Sequence, residues 1–187
     1  MDEKLKSAKR QIKRLIISQQ DIFEAANYAY QLLKHEYYEP DYLNRGDDFY
    51  NSDEETNMEA LNTALIVAYS RPFLKSKGQD SATPSLPSKI IKSFDKSELE
   101  LHNTILEKRN KAVAHSDADL YEANLSKSEY DGSVYPFIQF NFTQVFTKDE
   151  LLMIQSIIEK LLEGLGKAVA SIFDHHGENA RKYLVEK

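Results

Sequence analysis

The chain has 187 residues, of which 41% are hydrophobic and 29% charged, enough for one domain with a sizeable core and typical of a globular protein. Cysteine is absent, which excludes disulfides, thiolate metal sites and cysteine nucleophiles together. The net charge of -6 argues against a surface that wraps duplex DNA non-specifically, because phosphate neutralisation supplies most of that affinity.

Met1 to Arg14 alternates in charge and lacks the apolar core of a secretory signal, and no apolar run approaches the roughly 20 residues of a membrane span, so a cytoplasmic protein with no membrane partner is expected. From Asp2 to about Glu39 there is neither Pro nor Gly. Leu5, Ala8, Ile12, Leu15, Ile16, Gln19, Phe23, Ala26, Tyr30 and Leu33 recur there at helical spacing, which predicts one long helix. Lys6, Arg10 and Lys13 form a basic edge beside this apolar set and read as a solvated face. Pro40 ends the helix, and an acidic loop over about 40–55 follows, with Asp47, Asp48, Asp53 and Glu54. Its carboxylates lack the spacing of a calcium loop, and no metal site or cofactor is expected.

A second helix is predicted from about Thr56 to Lys75, with Met58, Leu61, Leu65, Ala68 and Tyr69 facing inward. Pro72 disfavours helical geometry at Arg71, so the helix is expected to kink or tighten near its end, and Arg71 is thereby singled out, either as a cap on the last carbonyls or as a substrate-binding residue. Gly78, Pro84 and Pro87 mark a flexible connection over about 76–92. Asp95 and Glu98 have the spacing of a capping box and open a third helix running to about His115, with Leu99, Ile105, Leu106, Ala112 and Val113 on its buried side. Asp131-Gly132 is a turn signal, and alternation at Val134, Ile138, Phe140 and Phe142 predicts a short extended segment or β-hairpin near 133–146. Thr147 and Glu150 repeat the capping-box pattern before a last long helix through Leu151, Ile158, Leu165 and Ile172. Gly164 and Gly166 inside it imply a close helix contact or a dimer contact. His175-His176 point apart on a helix and make no designed metal site, and a C-terminal tail covers about 175–187. The fold expected over 1–187 is therefore mainly α, a single up-and-down helical bundle with long N- and C-terminal helices.

One segment has the residue types for chemistry. The third helix approaches its end as Leu106-Glu107-Lys108-Arg109-Asn110 and continues Lys111-Ala112-Val113-Ala114-His115-Ser116-Asp117. An arginine, a polar residue directly after it and a histidine six positions on resembles the R-x(4-6)-H motif of HEPN-domain proteins, most sharply over about Glu98 to Asp117. The resemblance implies a helical bundle and a metal-independent endoribonuclease that builds a composite site from two copies in a homodimer. It makes Arg109, Asn110 and His115 the catalytic set. Histidine suits proton transfer to and from the ribose oxygens, and arginine presents a fixed charged fork to phosphate. Arg71, His102 and Ser116 are the expected substrate-binding residues. His102 is seven residues before Arg109 on nearly the same face, although a partly buried histidine is the plainer reading of it. On a straight helix His115 falls some 120° around from Arg109, so the helix is expected to end or bend between them.

The resemblance implies RNA as substrate, a toxin or a defence or stress effector, and an antitoxin or regulatory partner. Some toxins of this family carry a tyrosine two positions after the histidine, where this chain has Asp117, which puts control by tyrosine modification in doubt. The competing reading is a non-catalytic module of the same fold that binds RNA, a nucleotide or a protein, and the acidic net charge favours it. A purely structural helical dimer is the third.

Overall fold

The computed structural model describes residues 3–38, 53–74, 86, 88–110, 123–130, 133–140 and 146–176. The first helix, α1, spans Glu3–Lys34. Its buried line is Ala8, Ile12, Leu15, Ile22, Ala25, Ala29 and Leu32. Three residues of the expected apolar set, Ile16, Phe23 and Tyr30, instead face outward. The cause is steric: Ala25 and Ala29 present the small surface that lets neighbouring helices approach, so the side bearing them turns inward.

α1 stops at Lys34 rather than Glu39, and the stop has a physical signature. Tyr37 N–H donates to the Leu32 carbonyl and Glu36 N–H to Leu33, both at 3.1 Å, with Glu36 at φ 54°. That is a Schellman cap with a left-handed residue between the helix and its closing hydrogen bond. Tyr37 and Leu32 are both buried, which supplies the hydrophobic contact of the motif.

The second helix, α2, spans Asp53–Ser70 and continues as a 3-10 turn over Arg71–Phe73, so it tightens at Pro72 instead of running to Lys75. Met58, Asn62, Leu65, Ile66, Ala68, Tyr69 and Ser70 are its buried residues. A second 3-10 turn covers Ser88–Ser93, inside the stretch expected to be a flexible connection to residue 92. Ile90 anchors it in the core against Gly164, where a Cβ would stand 3.3 Å from Ile90 Cγ2. The close contact expected at Gly164 is thus with this turn, whereas a Cβ at Gly166 would meet nothing within 4 Å.

The third helix, α3, spans Lys96–Lys108, and the last, α4, spans Lys148–His176. Both capping boxes are formed: Asp95 with Glu98, and Thr147 with Glu150. Leu99, expected to be buried, is exposed, while Leu101 and Ile105 carry α3 into the core.

α1 and α3 each pack against α2 and α4, which places α1 and α3 across the bundle from one another. The neighbours run antiparallel. Arg14, in the first half of α1, meets the end of α2, Lys148 at the start of α4 lies over Tyr38 just past α1, and Lys108 at the end of α3 lies over Phe146 just before α4. The fold is therefore a mainly α, up-and-down bundle, and no described helix is long and apolar enough to cross a membrane.

Two strands, β1 (Ala123–Tyr130) and β2 (Ser133–Phe140), pair antiparallel from Tyr130↔Ser133 to Ala123↔Phe140. The hairpin brackets Asp131-Gly132 and so begins ten residues before the expected 133. Ladder hydrogen bonds come from the backbone, so the alternating strand recruits a polar partner whose own sequence carries no strand pattern. Residues 141–145 of the expected segment lie outside the described residues.

A left-handed conformation costs a residue with a Cβ about 1 kcal/mol relative to glycine. Glu36→Gly is therefore expected to raise unfolding stability by up to that amount in urea denaturation. An unchanged or lowered midpoint would show that the Schellman cap is not what ends α1.

Candidate functional site: the C-terminal end of α3

α3 is set in place from its N-terminus. Asp95 accepts from the Glu98 N–H at 2.9 Å, and the Glu98 carboxylate accepts from the Asp95 N–H at 2.9 Å. The same carboxylate accepts from Lys160 Nζ at 2.6 and 2.7 Å and from Ser156 Oγ at 3.2 Å, both on α4. Burial acts to raise the Glu98 carboxyl, but these donors outweigh it and hold it below the usual carboxylate range. The Glu98 N–H donor likewise lowers Asp95.

One turn further on, His102 is 3% exposed. Its Nδ1 lies 2.8 Å from Tyr69 Oη, and Phe73 and Phe94 meet its ring edge-on at centroid distances of 4.6 and 5.7 Å. Burial lowers the His102 pKa, so the ring is neutral, and burial raises Tyr69, which keeps its proton. The plainer reading of His102 is the one its surroundings match. The ring is a hydrogen-bonded core group.

At the far end, Lys108 places its ammonium 5.1 Å from the centroid of the buried Phe146 ring, a cation–π contact. Burial lowers the Lys108 pKa, and the nearby Glu150 opposes that shift. Arg109 follows with helical backbone angles, and its N–H is shared between the Ile105 and Leu106 carbonyls. The α-helix ends at Lys108, and Arg109 and Asn110 follow it as a π turn. A π turn alters the rotation per residue, and such turns are concentrated at functional sites. The course of the chain from Lys111 to His115, where a bend is expected, lies outside the described residues. Arg109 Nη1 donates to Asn110 Oδ1 at 3.3 Å, with Arg109 half-buried and Asn110 exposed. Among the described residues no carboxylate pairs with that guanidinium. His115 and Ser116 lie outside the described residues.

Arg71 is elsewhere. Its half-exposed guanidinium reaches Asp21 and Glu24 of α1, both at 3.3 Å, and α1 lies across the bundle from α3. Desolvation raises the Asp21 pKa, and Arg71 opposes the rise. Capping falls to Arg14, not Arg71. The buried Arg14 donates from Nη2 to the Arg71, Pro72 and Leu74 carbonyls at 3.2, 2.8 and 3.2 Å. The structure therefore brings Arg109 and Asn110 together and leaves Arg71 and His102 apart from them.

Lys108 and Arg14 are further side chains with roles here that their sequence neighbours hint at. Lys108 had a signal, since it adjoins Arg109 in the motif. Arg14 had one in its seven-residue spacing from Asp21, which puts both on one side of α1. Compared with known protein families, curated proteins and solved structures, the chain matches none.

The neutral His102 ring makes stability depend on pH. A histidine whose folded pKa is depressed contributes fully above its unfolded value of ~6.5, and that contribution is lost as pH falls below it toward the folded value. Between pH 7 and 5 the Tm is expected to fall. His102→Gln, which keeps a polar partner for Tyr69, should lower Tm at pH 7 yet flatten the profile across that window. Equal slopes in the two proteins would contradict the assignment.

Proposed function

We propose that this chain is a metal-independent endoribonuclease of the HEPN type, acting in the cytoplasm as a homodimer in which two copies of the Arg109-Asn110 to His115 motif share one RNA phosphate. The observation that carries the reading is the exit from α3. Arg109 and Asn110 stand side by side where the helix turns π-type, with no carboxylate among the described residues neutralising the guanidinium. A cation held this way is available to a phosphate oxygen.

In this reading the ribose 2'-oxygen attacks phosphorus as one His115 imidazole takes its proton. The His115 of the second copy, as imidazolium, protonates the departing 5'-oxygen. The products are a 2',3'-cyclic phosphate and a 5'-hydroxyl. Arg109 stabilises the charge that builds on the phosphorane, and Asn110, bonded to Arg109, orients it. Ser116, next to His115, contacts the substrate. His102 and Arg71 take no part, because the first is sealed in the core and the second is held by α1 carboxylates. The biological setting that goes with this chemistry is a toxin or a defence or stress effector, with an antitoxin or regulatory protein as partner.

The second reading is a non-catalytic RNA-, nucleotide- or protein-binding module that uses the same helix end. The observation favouring it is the net charge of -6, since RNA-cleaving enzymes usually present more basic surface.

Incubation with single-stranded and structured RNA in EDTA separates the two. The nuclease reading predicts cyclic-phosphate ends, with Arg109→Ala and His115→Ala each lowering the rate by about 10²–10³-fold at unchanged helicity. RNA binding without cleavage would replace it with the module. Cleavage that survives His115→Ala would refute the proton-transfer role.

A further inference from the structure

Between the 3-10 turn of Ser88–Ser93 and the middle of α4 lies a cleft of about 280 Å³. Its α4 wall is one stripe of the helix, in which Lys160, Glu163, Gly164 and Lys167 stand three and four residues apart and so share a face. Lys89, Ile90 and Ser93 of the turn make the opposite wall. Burial sorts this lining into floor and rim. Ile90 and Ala168 are buried and Gly164 has no side chain, so the floor is apolar, while Lys89, Ser93, Glu163 and Lys167 are exposed around it.

The rim is cationic in an acidic chain. Over the whole sequence 30 Asp and Glu outnumber 24 Lys and Arg, yet three lysines line the cleft against the one carboxylate of Glu163. The three ammoniums differ in what already holds them. Lys89 has no carboxylate partner among the described residues. Lys167 pairs with Glu163 one turn earlier, an exposed contact of the weak kind that another anion can displace. Lys160 spends two N–H groups on Glu98, and an ammonium has a third to donate.

We propose that this cleft binds a small organic phosphate, a phosphate monoester on a compact uncharged body. The phosphate sits on Lys89, Lys167 and the third donor of Lys160, and the body covers Ile90 and Gly164. Charge selects the phosphate, because a dianion engages several ammoniums at once where a carboxylate brings one charge, and lysine acts on phosphate as a point charge. The Ser93 hydroxyl adds a neutral donor at the same rim. Volume selects the size, since the cleft is at the lower end of the range for small-molecule sites. It also stands apart from the Arg109 motif. Lys160 meets α3 at Glu98, and Arg109 follows eleven residues later, roughly 16 Å along the helix. The proposal goes beyond the nuclease reading and does not rest on it.

Calorimetric titration of the full chain at pH 8 and low salt, without RNA, tests it with phenyl phosphate as the probe. Phenyl phosphate is expected to bind, and both phenyl sulfate, which has the same shape with one charge fewer, and inorganic phosphate, which has no apolar body, to bind several-fold more weakly. Lys89→Ala and Lys167→Ala should each weaken phenyl phosphate about tenfold. Glu163→Gln, which removes a like charge and releases Lys167, should tighten it. All three positions are exposed, so helicity should be unchanged. Lys34→Ala, at an exposed lysine ending α1, is the control for general charge and should leave the affinity as it was. The proposal is overturned if phenyl phosphate fails to bind at millimolar concentration, if phenyl sulfate or inorganic phosphate binds as tightly, or if Glu163→Gln weakens binding. It is also overturned if the loss follows Lys34→Ala or Arg109→Ala instead of Lys89→Ala. Affinity is read without cleavage, so a failed nuclease reading leaves the test intact.

Discussion

The Glu98 carboxylate is the group on which the position of the candidate site depends. It is 4% exposed, and in that one place it closes the α3 capping box, accepts twice from Lys160 and accepts once from Ser156. An ionised carboxylate taken out of water is costly unless its lone pairs are filled and an opposite charge is near, and here both conditions hold. The consequence is positional. α3 is pinned to α4 at one height, so that Leu101 and Ile105 enter the core, His102 meets Tyr69, and Lys108 reaches the Phe146 ring. Arg109 and Asn110 follow from that register, one turn past the last core contact.

The opposite side of the bundle uses cations in the same spirit. Arg14 is buried against three carbonyls at the end of α2, and Arg71, just after that helix, bridges back to Asp21 and Glu24 on α1. Arg14 thus satisfies carbonyls at the tightened 3-10 turn, while Arg71 pairs with two α1 carboxylates. Tyr69, two residues before Arg71, bonds His102, so the end of α2 and the middle of α3 share one buried polar and aromatic centre.

Capping chemistry was the most legible part of the sequence. Asp95 with Glu98 and Thr147 with Glu150 were read from spacing alone, because a capping box is local and its donors are the helix's own first amides. The phase of α1 was not legible. Apolar residues occupy more of its circumference than one stripe, and the choice between Ile16, Phe23, Tyr30 and the line through Ala25 and Ala29 is made by how closely α2 and α4 approach. Single-residue hydrophobicity does not contain that information. β1 was illegible for a related reason, since its partner strand supplies the ladder. The motif Arg109-Asn110 was legible as a pair at a helix end. The fate of His102 depended on Tyr69, Phe73 and Phe94, which are distant in sequence from the helix that bears it.

The pinning of α3 by Glu98 is tested most directly by comparing Glu98→Ala with Asp95→Ala in urea denaturation and amide hydrogen exchange. Asp95→Ala removes one capping acceptor and should cost about 1 kcal/mol. Glu98→Ala also removes the acceptor for Ser156 and for the partly exposed Lys160 ammonium and should cost about 2 kcal/mol, with protection lost first along α3 from Lys96 to Lys108. Equal costs for the two variants, or an α3 that stays as protected as α4 without Glu98, would contradict the account.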